Sequence, residues 1–143
     1  MNTIQGTISE IRYSGEMYLV DVHVGKDVTL TAIAVGAEEG EEMLKKGDNV
    51  TLCFKSTELS IAKNMSGEVS LRNRLPSIVT KVKTGELLCQ ITLDFIGNSI
   101  NSIITKRSAE RIGVKTGDTV TGLIKANEVI LLEKNDLLQQ ESF

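Results

Sequence analysis

Between Glu68 and Leu75 the chain reads "EVSLRNRL", which packs Ser70, Arg72 and Asn73 into four positions just before the only proline, Pro76. Further on, "TKRSAERIG" runs from Thr105 to Gly113, and Lys125 follows in "GLIKANEV". These groups offer a guanidinium fork, hydroxyls and ammoniums: hydrogen-bond donors with positive charge, the equipment for holding a small anion. Taken singly, each has a plainer reading. Arg72 is a solvated charge on a strand edge, Thr105 and Ser108 are capping residues, and Lys125, which recurs as Lys55, supports the fold. On its own "EVSLRNRL" fits a linker, a strand edge or half of a binding site.

Composition narrows the setting. The chain has 143 residues with one His, no Trp, three Phe and two Tyr, so its apolar content is mostly Ile, Val and Leu, as in a β-rich domain with a modest core. A net charge of -3 lacks the basic footprint of a duplex nucleic-acid binder, so no nucleic-acid partner is expected. "MNTIQGTISE" is no signal peptide and no apolar run approaches a membrane span, so the reading is a soluble, cytoplasmic chain without a membrane partner. Cys53 and Cys89 sit in apolar strand-like runs as small buried hydrophobes. With one distant His they give no metal-ligand spacing, and no cationic metal is expected. His23, in "VDVHV", has neither a nucleophile nor a metal partner and reads as a surface or edge residue.

The chain is written twice. "LKKGDNVTLCFKSTELSI" from Leu44 overlays "VKTGDTVTGLIKANEVIL" from Val114 with seven identities in eighteen positions, among them Gly47 with Gly117, Asp48 with Asp118 and Lys55 with Lys125. "LTAIAV" from Leu30 overlays "INSIIT" from Ile100 if one residue is gapped near Ser14. The expected organisation is a first repeat over 1–65, a second over 66–135 and a tail over 136–143. A repeat of about 60 residues is marginal alone, so association is expected. Within the second repeat, Ile78 to Val82 and Leu87 to Phe95 read as strands, Gly97-Asn98 as a hairpin turn and Ile100 to Ile104 as the return strand. Thr105 then caps a helical turn that Gly113 ends, and two strands follow. The fold class is all-β: two tandem small OB-like barrels, each with one short helix.

At these residues the sequence resembles the molbindin, or Mop, family of small molybdate-binding β-barrels. "SLRNRLPSIV" is similar to the family's S-x-R-N-x-L-x-G-x-V signature with Ser77 at the glycine position, and "SIITKRSAERIGVKTGDTVTGLIKANEVIL" resembles its later pieces in order. The resemblance covers nearly the whole chain as two copies. It implies oxyanion pockets at subunit interfaces, with Ser70 and Arg72 from one side and Thr105, Ser108, Lys125 and the Ala126 backbone from the facing repeat; Asn73, Lys106 and Arg107 are further candidates. Lys55 and Ser56 are secondary candidates. It also implies homo-oligomers, trimers by family precedent, molybdate or tungstate as the bound ligand, and no other cofactor.

The residue types suit that ligand. Molybdate is a tetrahedral dianion with four acceptor oxygens, so its site needs many donors, positive charge and no nearby carboxylate. If Thr105 caps the helix, the N–H groups from Lys106 to Ser108 add an outward-facing anion seat. The first repeat keeps the scaffold and loses the site: Met1 stands for the Arg, Val35 for Thr105 and Glu38 for Ser108, so a site built from it alone is expected to be dead. The reading is therefore a non-enzymatic molybdate-binding protein for molybdenum storage or homeostasis. Its rivals are a ligand-independent assembly module with a decayed site, and a binder of tungstate or sulfate.

Overall fold

The computed structural model describes residues 1–35 and 44–133. Ten strands form two five-stranded sheets. The first repeat supplies β1 (Asn2–Ser14), β2 (Met17–Gly25), β3 (Val28–Val35), β4 (Asn49–Phe54) and β5 (Ser60–Ala62). The second supplies β6 (Asn73–Thr84), β7 (Leu88–Phe95), β8 (Asn98–Thr105), β9 (Thr119–Ile124) and β10 (Ile130–Glu133), with helix α1 (Lys106–Ile112) between β8 and β9. The fold is all-β and OB-like, as expected. Period-two burial sets the sheets: along β6 Asn73, Leu75, Ser77 and Val79 are buried while Arg74, Pro76 and Ile78 are exposed.

The strand orders are β10-β4-β1-β2-β3 and β5-β9-β6-β7-β8, so each sheet takes its fifth strand from the other sequence repeat. One compact unit comprises Thr3–Cys53 with Ala126–Phe143, and the other Met1–Asn2 with Phe54–Lys125. The expected boundary at 65/66 divides the sequence repeats; in space the ends are exchanged. In the second unit, β5 pairs antiparallel with β9 (Ser60 with Leu123, Ala62 with Thr121). Leu59, immediately before it, is fully buried and its carbonyl accepts from the Ser102 hydroxyl. Burying that leucine contributes about 1.5–3 kcal/mol, and the ladder satisfies backbone groups that would otherwise line an open edge.

The internal repeat has a structural cause in each unit. Lys45 N donates to Asp48 Oδ2 and Lys115 N to Asp118 Oδ2, both at 2.8 Å. Gly47 N donates to Ile8 O and Ile8 N to Asp48 O; Gly117 N and Val79 N make the same pair with Val79 O and Asp118 O. Gly47 and Gly117 have φ of 96° and 94°, which glycine adopts without penalty. The matched Lys-x-Gly-Asp is thus a turn that closes the barrel against β1 or β6. Each of these strands also carries a bulge at the same place, after Ile8 and after Val79. There Ser9 Oγ donates to Asp21 O and Thr80 Oγ1 to Thr92 O, both at 3.2 Å.

Two sequence expectations need correction. The hairpin turn between β7 and β8 is Ile96-Gly97, both at positive φ, and Asn98 already pairs with Phe95. A two-residue hairpin loop of the primed kind needs positive φ at both residues. The turn is held by Gly97 N donating to Asp94 Oδ1 and Asn98 Nδ2 to Phe95 O. The extra residue of the first repeat lies at the equivalent hairpin, where β2 and β3 shift register between His23 and Gly25, and not near Ser14. Cys53 and Cys89 are buried free thiols, and burial pushes the Cys53 thiol up from its ordinary value.

Two stability measurements follow. Ile96 is β-branched, exposed and at φ 45°, so Ile96→Asn should raise stability by about 0.5–1 kcal/mol in urea unfolding. A Cβ on Gly6 would lie 2.5 Å from both His23 O and Val22 Cγ1, so Gly6→Ala should lower stability by about 1–3 kcal/mol in the same assay.

Candidate functional site

The β-ladders fix where the donor residues stand. β6 starts at Asn73, which pairs with Ile124 at the end of β9. Continuing that register by one step sets Arg72 opposite Lys125, and both side chains are exposed at that end of the sheet with Ser70 close by in sequence. At the other end of β6, Thr84 pairs with Cys89 and Gly85 N donates to Leu88 O. Leu88 in turn pairs with Thr105, the last residue of β8. Arg72 and Thr105 are therefore separated by nearly the whole of β6, a contour of about 40 Å at about 3.3 Å per residue.

This divides the predicted residues into two groups. Ser70, Arg72 and Lys125 form one cationic end; Thr105, Lys106, Arg107 and Ser108 form the other. Lys125 thus stands with Arg72, whereas the sequence reading grouped it with Thr105. The cause is the β6–β9 pairing, which spacing along the chain does not reveal. Asn73 is buried, so its amide faces the interior and not a solvent pocket. Its counterpart Asn2 shows the use of that amide: Nδ2 donates to Asn101 O and Oδ1 accepts from Asn101 N, both at 2.8 Å, in the manner of a strand partner. Ala126 is buried at the start of a 3₁₀ turn, Ala126–Glu128. Lys55 is exposed ahead of the 3₁₀ turn Ser56–Glu58, which packs along β8.

Local sequence builds the Thr105 end as expected. Thr105 has extended backbone and caps α1: its Oγ1 accepts from Ser108 N at 3.0 Å and donates to Ser108 Oγ at 2.8 Å. Gly113, at φ 65°, closes the helix by donating to Ala109 O and Glu110 O. The amides are more engaged than the sequence suggested. Lys106 N donates to Leu87 O at 2.8 Å, and Ser108 N serves the cap. Of the three amides predicted to face outward, Arg107 N is the one left outside these two bonds.

An open depression of about 520 Å³ adjoins this end, lined by Glu86, Leu87, Leu88, Thr105, Lys106, Arg107 and Glu110. Sequence reasoning missed Glu86, Leu87, Leu88 and Glu110. The first three lie on the β6–β7 hairpin, and only the Leu88 to Thr105 pairing brings them beside the donors. Leu87 and Leu88 are exposed. The two carboxylates oppose an anion, and Lys106 Nζ lies 4.0 Å from Glu110 Oε1 in a pair exposed enough to be weak. In the first repeat, Val35 closes β3 opposite Met17, and Met1, Met17 and Val35 are all exposed. Glu38 lies outside the described residues. Among the described residues, no cluster of His, Cys, Asp or Glu could hold a metal ion, and no helix is long and apolar enough to cross a membrane.

The family model for the TOBE domain matches residues 1–61 and again 70–131. The chain belongs to the TOBE domain family, in two tandem copies. It is 31% identical over 133 residues to the molybdenum-pterin-binding protein MopA of Rhodobacter capsulatus, covering 91% of this chain and 50% of MopA. It is 36% identical over 87 residues to the molybdenum import ATP-binding protein ModC of Brucella abortus (strain 2308), covering 60% of this chain and 24% of ModC. The matched segments thus span about a quarter of ModC and half of MopA. Its fold superimposes with a TM-score of 0.86 and 28% identity on the cytoplasmic molybdate-binding protein ModG with molybdate bound, over 92% of this chain and 95% of that one.

In the same unit, Asp118 accepts from Lys115 N and pairs with Lys63 Nζ at 3.0 Å. The Lys63 bond, then the Lys115 amide, hold its carboxyl below the ordinary carboxylate value. A depressed folded-state value stabilises the fold above the unfolded pKa of about 3.9, and that contribution disappears as pH falls through the folded value. Urea midpoints measured from pH 6 to 2.5 should therefore fall less steeply below about pH 4 in Asp118→Asn than in the parent chain.

Proposed function

We propose that the chain binds molybdate reversibly, without catalysis, in pockets formed between two copies. Ser70, Arg72 and Lys125 of one copy meet Thr105, Lys106, Arg107 and Ser108 of another. The observation that carries this reading is the likeness, over nearly the whole chain, to ModG with molybdate bound. The separation of the two donor groups along β6 supports the intermolecular pocket, since neither end alone surrounds a tetrahedral dianion. Arg72 and Lys125 would supply permanent charge, and the Thr105 and Ser108 hydroxyls would turn to fit the remaining oxygens.

The biological role that follows is storage or buffering of molybdenum in the cytoplasm by a homo-oligomer, with a trimer as the expected state. The Val35 end of the first repeat, apolar where the second has Thr105, binds no oxyanion. That exposed valine also favours a second reading, in which the chain is an assembly module that needs no ligand. Tungstate and sulfate present the same acceptor geometry, and pocket size discriminates among them.

Titration calorimetry of the parent chain, Arg72→Ala and Thr105→Val with molybdate, tungstate and sulfate separates these readings. Each substitution should weaken molybdate binding by about 10-fold or more, the loss of one charge-assisted or hydroxyl contact. Absence of heat with all three anions in the parent chain would favour the assembly module. Unchanged affinity in Arg72→Ala would remove that residue from the pocket.

A further inference from the structure

Lys63 lies in the connection between the sequence repeats, immediately after β5. Its Nζ donates to Gly113 O at 3.0 Å and pairs with Asp118 Oδ2 at 3.0 Å, with both side chains about three-quarters covered. Gly113 is the left-handed cap of α1, and Asp118 belongs to the turn that Gly117 and Val79 tie to β6. One ammonium therefore joins the end of the helix to the sheet beneath it, where a cation also complements the terminal carbonyls.

The helix needs such a tie. Its seven residues are too few to be stable alone, and Ala109 is its only buried side chain. Its position is set at its ends: by the Thr105 cap at one and by Gly113 with Lys63 at the other. The repeat pattern adds an asymmetry. Lys63 overlays Glu133 in the second repeat, so the cation is present at one of the two equivalent positions and the charge is reversed at the other. The lysine serves the unit that retains Thr105 and Ser108.

We propose that Lys63 is a positioning residue for the Thr105–Ser108 donor segment: through Gly113 and Asp118, the connection between the repeats holds α1 in place and thereby sets anion affinity. This rests on the oxyanion reading above. Lys63 touches no ligand itself; it acts through the helix.

The test uses the full chain with Lys63→Met, Lys63→Arg and Asp118→Asn, each shown folded by circular dichroism. Amide hydrogen exchange across α1 is measured without ligand, and molybdate affinity by calorimetry. In Lys63→Met and Asp118→Asn the α1 amides should exchange about 10-fold faster, as for a locally loosened element, and molybdate should bind about 5-fold more weakly. Lys63→Arg should keep both close to the parent values. Parent-like exchange in Lys63→Met overturns the proposal, because the helix would not depend on the lysine. Faster exchange with unchanged affinity overturns it as well, leaving Lys63 a purely structural clamp. A parent chain that binds no molybdate refutes the oxyanion reading and the affinity part of this proposal together. The exchange rates then separately show whether Lys63 holds the helix.

Discussion

The constraint on which the structure rests is the pairing of the last short strand of each repeat with the sheet of the other. β5 and β10 have three and four residues and could not persist alone. Each becomes stable by laying its backbone against β9 or β4. In the unit built on β9 the contribution is visible in Leu59, fully buried, and in the Ser102 hydroxyl that takes its carbonyl. A repeat that gives away its final strand cannot complete its own sheet. Each sheet of this chain is thereby completed only with a strand from the other sequence repeat.

Within that frame, similar residues recur where the backbone has one solution. The paired Lys-x-Gly-Asp turns and the bulges after Ile8 and Val79 are the same device twice, because both barrels must turn the chain and bend a long first strand. The donor positions obey no such demand. Thr105 and Val35 occupy equivalent strand ends, and either residue completes its ladder. The two strand ends thus differ in side chain, a hydroxyl at Thr105 and an apolar group at Val35, while both complete their ladders.

The Thr105 end is more crowded than a simple anion seat. Lys106 N and Ser108 N already have acceptors, and Glu86 and Glu110 line the adjoining depression. In the proposed pocket, side-chain hydroxyls and cations would do more there than helix amides. Arg72 and Lys125 lie at the opposite end of β6 from these carboxylates.

Much was legible in the sequence. Alternating burial, the internal repeat, the Thr105 cap and the Gly113 stop are all local patterns, because periodicity, capping and φ preference act over a few residues. The all-β, OB-like class followed from them, and the family from the resemblance of "SLRNRLPSIV" and the later motifs to its signature. Tertiary structure alone decided which repeat completes which sheet, that Lys125 stands beside Arg72, and that Asn73 turns inward while Leu87, Leu88 and Glu86 come to the Thr105 end. Those are matters of register between distant strands. A ladder joins residues through backbone groups that every amino acid shares, so the side-chain sequence carries little record of its partner.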